Sequence, residues 1–112
     1  MIKINSIGEV TEAKFENLQK LNVLISESIK TELSRLFEKP NAKVLINMEG
    51  IHFLDSSGFA AFLSVSKSAQ KNNGQIIFCN VSNSALDLFK VLQLHNVFTI
   101  INDYNEAINS FK

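Results

Sequence analysis

The chain has 112 residues, 46% of them hydrophobic, with nine Phe and no Trp. That is long enough for one domain, residues 1–112, with its own core, and too short for two. Eleven Lys and Arg balance eleven Asp and Glu, so no global field draws the chain to nucleic acid or to an anionic membrane. No apolar run approaches the roughly 18 residues that span a bilayer. Met1-Ile2-Lys3-Ile4-Asn5-Ser6 is not followed by the apolar stretch of a signal peptide. A single cysteine, Cys79, rules out an internal disulfide and suits a reducing cytoplasm. Its apolar neighbours make it a small buried hydrophobe.

In chain order, residues 2–7 and 9–15 alternate roughly between apolar and polar, with Gly8 between them, and read as a hairpin or two edge strands. Leu21, Val23 and Ile25 alternate as a third strand, interrupted by Leu24. Ser26 then suits an N-cap for a helix carrying Ile29, Leu33, Leu36 and Phe37 on one face and ending before Pro40. Residues 43–48 form a buried strand bounded by Gly50. From Phe59 the spacing is helical, with Phe62, Leu63, Ser66 and Ala69 or Gln70 on one stripe, and Asn72-Asn73-Gly74 stops it. Gln75 to Val81 is a buried strand. Ser82 or Ser84 caps a helix bearing Ala85, Leu88, Phe89 and Leu92. Val97 to Ile101 is a last short strand, and Asp103 with Glu106 resembles a capping box for a helix through Phe111. The strand–helix alternation from residue 43 predicts an α/β fold. Its sheet is parallel with right-handed crossovers, made mixed by the amino-terminal hairpin. Ile76, Ile77, Phe78, Leu45 and Phe89 are expected in the core, and the chain is expected to be a monomer.

The most informative segment is Asp55-Ser56-Ser57-Gly58, between an apolar strand pattern and a helix. Backbone N–H groups are free at such a turn and the helix field is positive, which suits a negative charge. Asp and Ser are also ordinary N-caps, and Gly allows close packing against a strand. Beyond that structural role, Asp55 could fix the turn, Ser56 or Ser57 present a hydroxyl, and Gly58 allow close approach. A phosphate on one serine would change the local charge without breaking the fold. Phe59, if exposed beside Ser57, would belong to a docking patch.

Other chemistry finds little footing. A serine hydrolase needs a base and an oxyanion hole; the only imidazoles are His52 and His95, and the turn is not Gly-x-Ser-x-Gly. One Cys and two distant His match no zinc spacing, and no loop resembles a calcium site. No glycine-rich nucleotide motif occurs. The expectation is therefore a non-enzymatic protein with no metal, no cofactor, no nucleic-acid partner and no membrane insertion.

Phe53-Leu54-Asp55-Ser56-Ser57-Gly58-Phe59, with the order of elements, resembles a STAS domain, and within it the bacterial anti-sigma factor antagonists. Asn73-Gly74-Gln75-Ile76-Ile77-Phe78, Asn80-Val81-Ser82 and Leu88-Phe89 through Val91-Leu92 to Leu94 extend the likeness. It is good over residues 20–112 and only in outline before them. The resemblance implies a sheet of four or five strands flanked by about four helices, and partner switching. An anti-sigma factor serine kinase, a histidine-kinase-like ATPase, would phosphorylate Ser57, and a serine phosphatase would reset it. Asp55, Ser56, Gly58, Phe59 and Asn22 would face the partner. Relatives often carry Gly-x-Leu-Asp where this chain has Gln19-Lys20-Leu21-Asn22, so Asn22 lacks a charge near the turn. The alternative within the same resemblance is a STAS subunit of a lipid-trafficking ABC transporter, docking on its ATPase without phosphorylation.

Overall fold

Alternating residues at the amino terminus make the expected hairpin. In the computed structural model, which describes residues 1–112, strands β1 (Ile2–Ile7) and β2 (Val10–Phe15) pair antiparallel, with Ile2 opposite Phe15 and Ile7 opposite Val10. The chain continues through β3 (Lys20–Leu21), α1 (Val23–Arg35), β4 (Lys43–Asn47), β5 (Phe53–Leu54), α2 (Ser56–Lys71), β6 (Gln75–Cys79), α3 (Asn83–Val91) and α4 (Tyr104–Ile108). The main sheet is mixed, in the order β1-β2-β4-β6, with β4 parallel to both β2 and β6. The short strands β3 and β5 form a separate parallel pair. No helix is long and apolar enough to cross a membrane.

One sheet face carries Ala13, Phe15, Val44, Ile46 and Phe78 into a core with Ile29 and Leu33 of α1, Phe59, Phe62 and Val65 of α2, and Phe89 of α3. The phenylalanines pack edge to face, Phe62 against Phe78 and Phe59 against Phe89, each pair 5.0 Å between ring centres. The other face is smaller. Val10, Leu45, Ile77 and Cys79 meet Ala107 of α4. Burial there pushes the Cys79 thiol up to about 12, with nearby Glu12 and Glu49 adding to the shift, so it stays protonated and unreactive. Glu12 is only 6% exposed. Asn47 Nδ2 donates to its Oε2 at 2.9 Å, while Asn47 Oδ1 accepts from Glu49 N and Asn80 Nδ2. Such a bonded network is what makes a buried carboxylate tolerable.

Several expected boundaries move. The Leu21-Val23-Ile25 strand stops at Leu21, because α1 begins at Val23 with Asn22, not Ser26, as its N-cap. Ser26 lies buried one turn inside the helix. Residues 97–101 form no strand. They touch β6 through a single parallel bridge, Phe78 with Ile100, flanked by Phe78 N–Thr99 O and Ile101 N–Phe78 O bonds of 2.9 Å. Helix α4 closes at Ile108 rather than Phe111, with Asn109 as its C-cap. Ile76 is half-buried rather than enclosed, whereas Leu45, Ile77, Phe78 and Phe89 are buried as expected. The left-handed residue after α2 is Asn73, at φ 57°. Gly74 serves instead to let the Phe37 ring approach, since a Cβ there would lie 2.6 Å from Phe37 Cδ1. Ser82, one of two candidates, caps α3 by accepting from Ala85 N at 3.1 Å.

Candidate functional site

The two-residue pairing of β3 with β5 does more than its length suggests. Leu21 lies opposite Leu54, and a helix starts immediately after each strand, so the N-termini of α1 and α2 come side by side. Asn22 caps the first, its Oδ1 accepting from Leu24 N at 3.1 Å. Asp55 caps the second, its Oδ1 accepting from Ser57 N at 2.9 Å and Gly58 N at 3.1 Å. Asn and Asp are about equally good caps, which is why Asn22 keeps the local geometry without a charge. Two positive helix ends therefore converge on one small surface.

Ser57 sits where they meet. Its hydroxyl donates to Asp55 Oδ1, and its Oγ is 2.9 Å from Ser26 Oγ. Ser26 Oγ is also 2.6 Å from Asn22 O, which already accepts the backbone N–H groups of Ile25 and Ser26. Three contacts share two hydroxyl hydrogens. Ser26 donates to Asn22 O and Ser57 to Asp55 Oδ1, so the two hydroxyl oxygens meet as a close contact, and either can bond the other only by giving up its own acceptor. Ser57 is thus fixed from both sides while remaining half-exposed, and Ser56 beside it is exposed.

The Ser57 hydroxyl, followed by the Gly58 and Ser57 backbone N–H groups, holds the Asp55 carboxyl below its ordinary value of 3.8. Because the folded form prefers the carboxylate, the resulting stabilisation is present above the unfolded value. It disappears as pH falls through the lower folded value. We expect the Asp55 carboxyl carbon, followed by NMR, to titrate with a midpoint below 3.8. Ser57→Ala should move that midpoint back upward, because it removes the largest cause. A midpoint indifferent to Ser57→Ala would mean that the side-chain bond does not hold the carboxylate.

The expected site residues divide by location. Asn22, Asp55, Ser56 and Ser57 are gathered at the converging helix ends. Gly58 is buried, and its close approach is internal: a Cβ there would meet Leu21 O at 2.7 Å. Phe59, expected to face a partner, is 3% exposed and packs into the core against Phe89. It faces inward because it belongs to the same helical stripe as Phe62. Three apolar side chains beside the two helix starts lie on the outside. Val23 is 72% and Leu24 86% exposed in the first turn of α1, and Phe53 on β5 is 45% exposed. Ser26 was also missed as a partner of Ser57; a serine four residues after a capping Asn is too common a pattern to signal it.

These features describe an α/β domain in which one hydroxyl is held where two helix N-termini meet. The sequence profile of the STAS domain matches residues 9–107, and the chain belongs to the STAS domain family. Over 92 residues it is 21% identical to BtrV of Bordetella bronchiseptica, named as a candidate anti-sigma factor antagonist; the match covers 82% of this chain and 79% of that protein. A STAS anti-sigma factor antagonist domain protein from Planctomyces limnophilus superposes with a TM-score of 0.89 at 23% identity, covering 98% of this chain and 97% of that one. Bacillus SpoIIAA in its phosphorylated form superposes at 0.70 with 20% identity, covering 100% of both chains. At these identities the superpositions establish the shared fold.

Proposed function

We propose that this protein is an anti-sigma factor antagonist, a non-enzymatic binding module switched by phosphorylation of Ser57. The observation that carries this reading is the Ser57 hydroxyl, half-exposed and held between Asp55 and Ser26 where two helix N-termini converge. Support also comes from relatives named for the antagonist role, one of them solved in a phosphorylated form. In the transfer, Ser57 Oγ attacks the γ-phosphorus of a nucleoside triphosphate held by a partner kinase. The bond from that phosphorus to the bridging oxygen breaks, the diphosphate leaves, and the hydroxyl proton is released. The product carries about −1.5 to −2 charges in place of a neutral hydroxyl.

Val23, Leu24 and Phe53 give the same end of the molecule an exposed apolar border, consistent with a partner that covers the turn. Asn22, Asp55 and Ser56 complete that surface, while Gly58 and Phe59 act from within. A serine phosphatase restores the hydroxyl. The test is mass mapping of the protein from its native cells across growth and stress. A species heavier by about 80 Da with the added group on Ser57 is the expected result. Protein that stays unmodified under all conditions and co-purifies with membrane ATPase subunits would replace this reading with the transporter-docking one.

A further inference from the structure

We propose that a phosphoryl group on Ser57 turns away from Asp55 into the groove between α1 and α2, where Lys30 exchanges Glu27 for the phosphate and clamps it. This deepens the switch reading and rests on Ser57 being the acceptor. Phosphorylation removes the hydrogen that Ser57 donates to Asp55 Oδ1. The same two groups then become a phosphate and a carboxylate at contact distance, and like charges there repel. The phosphoryl group must leave. Asp55 cannot, because its Oδ1 also caps α2 through Ser57 N and Gly58 N.

Space lies on the other side of Ser57. A groove of about 380 Å³ is lined by Ser57, Ala60, Ala61 and Ser64 from α2 and by Val23, Ser26, Glu27 and Lys30 from α1. Small side chains on α2 leave it open. Lys30 is its only cation. It stands one turn beyond Ser26, about 5–6 Å away between Cβ atoms, and Ser26 already touches Ser57. Helical side chains lean toward the helix N-terminus, and Lys30 does so here: its Nζ bonds Glu27 Oε1 at 3.1 Å, one turn back. That ion pair is exposed, with Glu27 81% accessible, and such pairs are weak. A phosphate dianion offers more charge and three acceptor oxygens, so Lys30 has reason to change partners. The Ser26 and Ser64 hydroxyls can donate to the remaining oxygens.

The charged groups facing the phosphate are then Lys30 and Glu27 on α1 and Asp55 at the start of α2. His52 precedes the turn and is exposed, and it is common to every variant below. The test uses full-length protein with phosphoserine installed at position 57 during synthesis, so the result does not depend on any kinase. Phosphorus NMR follows the second ionisation of the phosphoserine. Lys30→Met is expected to raise its midpoint by about 0.5 unit or more, since a nearby cation favours the dianion; Lys30→Arg should hold it near the parent value. Glu27→Gln, at an exposed position that the fold does not need, should lower it by freeing Lys30. No shift in Lys30→Met with a native amide spectrum overturns the clamp. Should Lys30→Met fail to fold, Glu27→Gln decides, and an unchanged midpoint there overturns it equally. A shifted midpoint together with no phosphate on Ser57 in native cells would sink the switch reading while leaving the clamp standing.

Discussion

Ser57→Asp is expected to weaken binding to the cognate kinase more than a hundredfold, a loss of about 3 kcal/mol, while Ser57→Ala binds nearly as well as the parent and accepts no phosphate. The asymmetry follows from what surrounds Oγ. Alanine removes a hydroxyl whose contacts are internal, to Asp55 and Ser26, and leaves the surface neutral. Ser26 keeps its own donation to Asn22 O, 2.6 Å away. Aspartate puts a second carboxylate beside Asp55, on a surface bordered by exposed Val23, Leu24 and Phe53. A partner covering that border must desolvate the new charge next to the Asp55 carboxylate, which is costly. Titration calorimetry of both variants against the kinase reads the result. Equal affinities would reject charge as the switch.

Val23 and Leu24 also explain the main misreading of the sequence. Leu21, Val23 and Ile25 alternate, and alternation ordinarily means a strand with one face buried. Here only Leu21 is buried by the sheet, in the β3–β5 pair. Val23 and Leu24 are apolar without being core, so a pattern rule that equates apolar with buried extended the strand across a helix boundary. The capping chemistry was available at Asn22, but Ser26 offered an equally familiar cap four residues later. Where apolar residues do fill the core, the elements were legible: β4 and β6 are nearly continuous apolar runs, and the Phe59–Phe62–Ala69 stripe is buried. Residues 97–101 failed for the opposite reason. Val97 is exposed, and only one bridge to Phe78 forms, so an apolar composition was not matched by ladder bonds. The turn itself was readable because its capping is local, Asp55 accepting from the N–H groups of Ser57 and Gly58. The Ser26 contact to it was not, since it depends on how two helices far apart in sequence align.

Gly58→Ala is expected to damage both stability and the switch, and it separates packing from chemistry at the turn. An added Cβ would stand 2.7 Å from Leu21 O and 3.3 Å from Leu21 Cβ. The first is a backbone atom in the β3–β5 pair, which also accepts from Asp55 N at 3.2 Å, so it cannot yield without disturbing that ladder. Overpacking of this kind costs about 1–3 kcal/mol, visible as a lower denaturant midpoint with an unchanged slope. The displacement has a direction. Pushing α2 away from Leu21 separates the two helix N-termini, lengthens the Ser26–Ser57 contact and strains the bond from Gly58 N to Asp55. Partner affinity should therefore fall, although no atom of the exposed surface has been changed. Ser56→Ala is the matching control: Ser56 is exposed and its hydroxyl serves no bond within the turn, so stability should stay within about 0.5 kcal/mol of the parent. Parent-like stability in Gly58→Ala would show that the strand can move freely under the helix. The geometry that fixes Ser57 would then have to come from the caps alone.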